Sequence, residues 1–324
     1  MTEQATHWRP SASLAMLQQR AGMLARLRQY FAEHGVLEVE TPLLSAAGNP
    51  DPHITSFTTC PVPGESPRYL NTSPEFAMKR LLAAGSGPIY QVCKAFRQGE
   101  QGSRHNPEFT LLEWYRPGYD HFRLMDEVEA VVRRLAAGLR VLGPVERFSY
   151  RVAFQRHLAI DPFLAEVDEL AACARARGLA VDGLTERDQW LDLLMGHCVQ
   201  PLLGREGPCF IHDYPASQAV LARIRPGDPP VAERFELFID GVELANGFHE
   251  LQDAGEQRAR FEADLRHRQL TGGEAVALDE RVLGALKAGL PACAGVALGL
   301  DRLLLVLSGC ERLEATLAFS YERS

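Results

Sequence analysis

FRQGEQGSRHNPEFTLLE, residues 96–113, decides how this chain is read. The apolar run Tyr90 to Phe96 ends at Arg97, and a polar, glycine-bearing loop follows. A second run returns through Phe109, Leu111, Glu113 and Tyr115. Strand alternation puts those four side chains on one sheet face. That face carries an aromatic plate, a carboxylate and a phenol, with Arg97 and His105 close by. Such a set suits a planar base, an ammonium group and a phosphate held together.

RFELFIDGVELANGFHEL, residues 234–251, is the second informative stretch. Asp240-Gly241 between alternating apolar residues predicts a two-residue hairpin turn. Regular pairing sets Ile239 against Val242 and Leu237 against Leu244, which makes an apolar face. Glu236, Phe238, Glu243 and Ala245 then share the other face, with the two acids roughly 7–8 Å apart at Cβ. Two carboxylates so close repel unless a cation lies between them, and Mg²⁺ with nucleotide phosphates prefers such a setting.

The flanking segments read as helices and short strands. Ser13 caps a helix to about His34 that stops at Gly35, with Leu14, Leu17, Ala21, Leu24, Leu27 and Phe31 at helical spacing. VLEVETPLL (36–44) is a strand that must break at Pro42. In NTSPEFAMKRLLAAG (71–85), Ser73 caps a helix, Pro74 takes its first position, and Glu75 lies where the helix dipole favours an acid. Asp120 opens a helix through Met125, Val128, Val132 and Leu135. Residues 145–230 read as a less regular insertion, with helical patterns at 166–178 and 187–199. GVALGLDRLLLVL (295–307) reads as a strand, a turn and a helix, with Arg302 at the helix start.

Bulk composition narrows the field. The 324 residues are 46% hydrophobic and 23% charged, an ordinary globular balance. No apolar run is long enough for a membrane span, and the N-terminus lacks a signal-peptide layout. Seven cysteines without a CxxC spacing point to a reducing compartment, and argue against a zinc site and a disulfide framework. A cytoplasmic location is expected. The net charge of −8 gives no general attraction for phosphate backbones. Lysine occurs only at positions 79, 94 and 287.

These segments resemble class II aminoacyl-tRNA synthetases of the lysyl type. Residues 96–113 resemble motif 2, the helix from Ser13 with the strand ending at Pro42 resembles motif 1, and residues 295–307 resemble motif 3. The resemblance implies an α+β fold, a mostly antiparallel β-sheet flanked by helices, in a dimer formed through residues 13–42. It implies ATP and Mg²⁺ as cofactors. ATP falls to Arg97, Gln98, Gly99, Glu100, His105, Asn106, Phe109, Glu243, Leu244, Gly299 and Arg302, and the metal to Glu236 and Glu243. Arg97 and Arg302 are the catalytic pair. The amino acid falls to Ser73, Pro74, Glu75, Glu113, Tyr115, Asn246, Phe248, Glu250 and Ala297, with Glu75 on the α-amino group and Glu250 on the side-chain ammonium.

Two departures matter. The pattern Gly-x-Gly-x-Gly-x-Asp-Arg carries Ala297 at its middle glycine, and one methyl in a pocket typically shifts discrimination by about 1–3 kcal/mol. A methyl there would crowd an α-amino acid and favour one whose amino group has moved along the chain. Motif 2 usually begins Phe-Arg-Asn-Glu, whereas here Gly99 stands at the acid's place. Either Glu100 substitutes through a loop shift or an adenine contact is lost. No anticodon-binding barrel is expected before Ser13. A single lysyl-type catalytic domain of this kind resembles the branch that joins β-lysine to a lysine side chain of elongation factor P. The rivals are an enzyme charging tRNA with α-lysine, which the net acidity disfavours, and a catalytically silent lysine-binding paralogue.

Overall fold

The computed structural model describes residues 8–179 and 183–324. Its strands are β1 (Leu37–Glu38), β2 (Leu44–Ser45), β3 (Thr58–Thr59), β4 (Arg68–Leu70), β5 (Ile89–Phe96), β6 (Glu108–Pro117), β7 (Glu146–Ser149), β8 (Cys209–Pro215), β9 (Ile224–Arg225), β10 (Val231–Ile239), β11 (Val242–His249) and β12 (Cys293–Gly299). Its α-helices are α1 (Leu14–Glu33), α2 (Glu75–Ala83), α3 (His121–Ala136), α4 (Tyr150–Leu158), α5 (Val167–Ala176), α6 (Arg187–Leu194), α7 (Ala254–Leu270), α8 (Glu280–Gly289) and α9 (Leu300–Ser308). The main sheet runs β1-β5-β6-β12-β11-β10-β8-β7, with β9 on β10, and β2-β4-β3 form a small second sheet. Pairing is antiparallel through the centre and parallel only at the two edges, β1 with β5 and β7 with β8. This is the expected α+β architecture.

Alternation along the central strands feeds two cores. Leu112, Trp114, Val296, Leu298, Phe235 and Leu237 face α1, α3 and α9. Ile89, Tyr115, Ile211, Phe238 and Phe248 face the side of α2, α4, α5, α6 and α8. Helix α1 is capped by Ser13, whose hydroxyl accepts from Met16 N at 3.2 Å. It inserts Phe31 against Tyr90, ring centroids 4.3 Å apart, and against Trp114. Truncating so buried an aromatic typically costs about 3–5 kcal/mol. Arg20 of α1 also donates to Asp301 (2.5 Å) and Thr110 (2.7 Å), while Asp301 accepts from Thr110 N. That buried knot fixes the start of α9, and hence Arg302, relative to β6.

Several local expectations need correction. The 36–44 segment joins the main sheet only at Leu37–Glu38, well before Pro42, and beyond that proline Leu44 starts β2 of the small sheet. Helix α2 starts at Glu75 with Pro74 in the capping position, and Ser73 Oγ receives Glu75 N at a long 3.4 Å. No separate turn divides β12 from α9, because Gly299 ends the strand and caps the helix. Residues 145–230 are more regular than their Pro and Gly clusters imply, since β7, β8 and β9 join the main sheet. The hairpin turn at Asp240-Gly241 is present, both residues with positive φ (53° and 73°). A bulge then shifts the register, so that Phe238 pairs with Glu243 but Leu237 pairs with Ala245. All seven cysteines are free thiols. No helix among the described residues is long and apolar enough to cross a membrane.

Candidate active site

The bulge creates the site. Without it, Glu243 and Ala245 would share a face, and Asn246, Phe248 and Glu250 would point the other way. With Leu244 as the extra residue, Glu243, Asn246, Phe248 and Glu250 all line one cavity of about 550 Å³. Glu236 joins them from β10, and Phe109, Leu111, Glu113 and Tyr115 from β6. Cavities of this size hold small organic ligands.

One end of the cavity is an acid pocket. Lys79 of α2, one turn after Glu75, reaches Glu75 (2.7 Å) and Glu250 (2.6 Å). Burial alone would lower the Lys79 ammonium, but Glu250 and Glu75 carry it above its usual value, so it stays charged. Tyr115 donates to Glu113 at 2.7 Å. Burial, and then the neighbouring Glu75, push Glu113 well above the carboxylate range. Burial raises Glu250 to about 7 against the pull of Lys79, with Glu75 adding to the rise. Glu113 Oε2 and Glu250 Oε1 are buried without a hydrogen-bond partner among the described residues. Three carboxylates thus surround a single lysine, and a buried carboxylate is costly unless paired. The pocket is short of positive charge, which a ligand with ammonium groups supplies. Lys79 escaped the sequence reading because its value lies in this convergence and not in a spacing.

The other end is cationic and aromatic. The Arg97 guanidinium lies over Phe109, 5.1 Å from the ring centroid. It touches Glu100 only at 3.4 Å, and its Nε is buried without a partner among the described residues. Arg302 donates to the carbonyls of Arg104 and Glu243, both at 3.3 Å, and has no acid within ion-pair distance among the described residues. Burial and the nearby Arg302 lower His105, so its imidazole is neutral. Two guanidiniums with unspent donors beside a ring suit a nucleotide's phosphates and base. Asn106 also lines the cavity, but its amide donates to Glu108 O and accepts from Tyr321 N, so it braces the loop. Gln98 and Gly99 do not line the cavity. Gly99 has φ +85°, which accounts for a glycine at this turn, and Glu100 is the loop acid at the wall.

Glu236 and Glu243 stand where a metal is expected. Glu236 is buried; Tyr214 OH donates to it at 2.7 Å and Arg234 pairs with it. Burial raises it to about 7, Arg234 opposes the rise, and Glu243 adds to it. The Glu243 side chain has no hydrogen bond or ion pair among the described residues. Repelling oxygen donors facing a cavity fit a hard divalent cation. Arg234 also donates to Asn246 Oδ1 (3.1 Å), so it sets Asn246 and Glu236 together. It precedes Glu236 by two residues on β10, and the sequence reading assigned it no role because its contact with Asn246 depends on the register with β11.

Strand β12 forms the floor. A Cβ on Gly295 would come within 2.2 Å of the Tyr115 ring and 2.6 Å of Glu250 Oε1, so the acid pocket itself requires that glycine. A Cβ on Gly299 would meet nothing closer than 3.8 Å, which leaves open space there for a ligand. Ala297 lies between them, paired with Glu113 and Asn246, and lines the cavity. Leu244 meets the cavity at the bulge, while its side chain belongs to the opposite core. Ser73, Pro74 and Glu75 line the wall beneath α2.

This fold and site define a class: residues 1–323 match the family model for class II tRNA synthetases (D, K and N), and the chain belongs to that family. Its relatives narrow the comparison. The elongation factor P–(R)-β-lysine ligase of Salmonella dublin is 50% identical over 330 residues, covering 100% of both chains. The ligases of the same name from Salmonella paratyphi B and Salmonella enteritidis show the same identity and coverage.

Proposed function

We propose that this protein is an ATP-dependent ligase that activates (R)-β-lysine as its adenylate and transfers it to the ε-amino group of a lysine on elongation factor P. The observation that carries this reading is the three-carboxylate pocket around Lys79 under the Ala297 methyl. It occurs in a chain half identical over its full length to ligases of that name. A diamine substrate meets the charge deficit of the pocket, with Glu75, Tyr115 and Glu250 seating its ammonium groups and Glu113 beside them. Asn246, held by Arg234, and Arg97 orient the carboxylate.

In the first step a carboxylate oxygen attacks the α-phosphorus of ATP and the pyrophosphate oxygen departs. Arg97 stabilises the charge that develops on the transferring phosphoryl group, and Arg302 holds the phosphate tail. Phe109 offers a face to adenine. Glu236 and Glu243 would hold Mg²⁺, which when bound neutralises the departing pyrophosphate. In the second step the acceptor amine attacks the carbonyl carbon, AMP leaves with the bonding electrons, and the amine loses a proton. Positioning supplies most of this step, because the mixed anhydride is already reactive.

The described residues act as one catalytic domain in the cytoplasm, with 145–230 an elaboration between motifs. A second copy covers the exposed Leu14 and Leu37 of the motif 1 region, residues 13–42. A transfer assay with labelled lysine isomers, offering tRNA and elongation factor P side by side, tests the reading. Label on the protein supports it, and label on tRNA alone overturns it.

A further inference from the structure

On the sheet face turned away from the cavity, three strands and one helix bring together a second group of ligating side chains. His121 opens α3, Glu233 lies on β10 and His249 on β11. One ligand atom from each lies within 4.8 Å of the other two. His249 Nδ1 is 2.7 Å from Glu233 Oε2. His121 is 1% exposed, and neither of its ring nitrogens has a hydrogen-bond partner among the described residues. A buried imidazole carries one donor and one acceptor, and leaving both unmet is costly. Asp213 on β8 stands 3.5 Å from His121 Nε2, with its other oxygen near His212 and Arg225.

We infer that His121, Glu233 and His249 form a structural site for a divalent transition metal of the zinc class, with Asp213 orienting His121 from behind. Two imidazoles and one carboxylate are the donors zinc prefers, whereas magnesium and calcium favour all-oxygen sets. A metal takes the lone pair of one His121 nitrogen and leaves the other N–H to Asp213, the carboxylate–histidine–metal arrangement. Zn–N and Zn–O distances of about 2.0–2.2 Å put ligand atoms roughly 3.4 Å apart, so the set, now spread over up to 4.8 Å, contracts around the ion while the His249–Glu233 pair opens slightly from 2.7 Å. Arg223 and Arg225, 3.5 and 3.6 Å from Glu233 and partly exposed, swing outward as the metal neutralises it. Cysteine spacing argued against a zinc site, but this set contains no cysteine and is assembled from positions 121, 233 and 249, which no local motif links.

The site has a structural use. Glu233 and His249 alternate along their strands with Arg234 and Glu250, which face the cavity. A metal at this point clamps β10 and β11 to α3 directly behind the catalytic residues.

The test uses the full chain, stripped with chelator and free of nucleotide. Cobalt(II) is added as a spectroscopic probe, and zinc is then titrated against a chromophoric chelator. The expected result is one tight equivalent with the visible absorption of low-coordinate cobalt, retained in Glu236→Gln/Glu243→Gln. His121→Ala/His249→Ala should weaken that equivalent by more than about a hundredfold, the upper end of the loss from an outer-shell change. His249→Cys should add a thiolate-to-cobalt charge-transfer band. If the wild-type protein takes up no saturable cobalt, the inference fails, whatever the variants do. It fails equally if a folded double variant binds as the wild type does.

Discussion

Ala297 faces the cavity from the strand position between Gly295 and Gly299, opposite Glu113 on one neighbour strand and Asn246 on the other. Its methyl group narrows the space over which an amino acid's α-carbon would lie. Ala297→Gly should move the preference toward α-lysine by about 1–3 kcal/mol, roughly ten- to two-hundredfold in relative kcat/KM. Unchanged isomer preference would show that the methyl is not the discriminator. Lys79 makes a stability prediction. Lys79→Met leaves Glu75, Glu113 and Glu250 without their cation and should destabilise the ligand-free protein by about 3–5 kcal/mol near neutral pH in urea unfolding. The loss should shrink as the acids are protonated. The pH dependence also has a definite sign. Glu236 and Glu250 titrate near 7 in the folded protein, above the ordinary carboxylate value. Their contribution to ligand-free stability is therefore present at acid pH and is lost as pH rises through about 7. Substrate binding runs the opposite way, because an ammonium group needs Glu250 ionised. KM for the amino acid should rise by about tenfold per pH unit below that value, and a KM flat from mildly acid to neutral pH would contradict the assignment.

At the scale of elements, the β10–β11 bulge decides whether the acids meet. Deleting Leu244 removes the extra residue, and regular alternation from Glu243 through Ala245 then keeps Asn246, Phe248 and Glu250 on the cavity face. The variant should keep ATP–pyrophosphate exchange and a folded sheet by circular dichroism, whereas a residue inserted after Leu237, which gives Leu244 a partner and lets regular alternation turn Asn246, Phe248 and Glu250 away, should abolish exchange; loss on deletion or retention on insertion would contradict this reading of the bulge. Arg20→Met should uncouple α1 from the start of α9. It leaves Asp301, 1% exposed, with Thr110 N as its remaining partner, and should cost about 3–5 kcal/mol in urea unfolding. The hairpin at Asp240-Gly241 and the β5–β6 pair were legible because alternation and turn chemistry are local. The bulge was not, because one extra residue leaves the hydrophobic pattern of VELANGF ambiguous and only the register with β10 resolves it. Arg234, Lys79 and Tyr214 were hidden for a related reason: each acts through partners distant in the chain, or on a strand whose phase was unknown. The family resemblance nevertheless assigned Asn246, Phe248 and Glu250 to the site, where alternation alone contradicted Glu243 sharing their face.

For the whole molecule, the sheet holds an acid pocket and a cationic nucleotide end within one cavity. In the proposed function the acid pocket selects its substrate by the ammonium groups, and the guanidiniums bind the phosphates that activate the carboxylate. A protein of net charge −8 reaches its acceptor through specific contacts and not through a general affinity for nucleic acid. Leu14→Glu/Leu37→Glu, placed on the exposed apolar motif 1 surface, should yield monomers in sedimentation if a second copy covers it. The most direct measurement of the central claim is ATP–pyrophosphate exchange across α-lysine, each β-lysine enantiomer and no amino acid. The account predicts strong exchange with (R)-β-lysine, weaker exchange with the other isomers, and a background rate without amino acid. Equal or better exchange with α-lysine, or none with any of them, would contradict it.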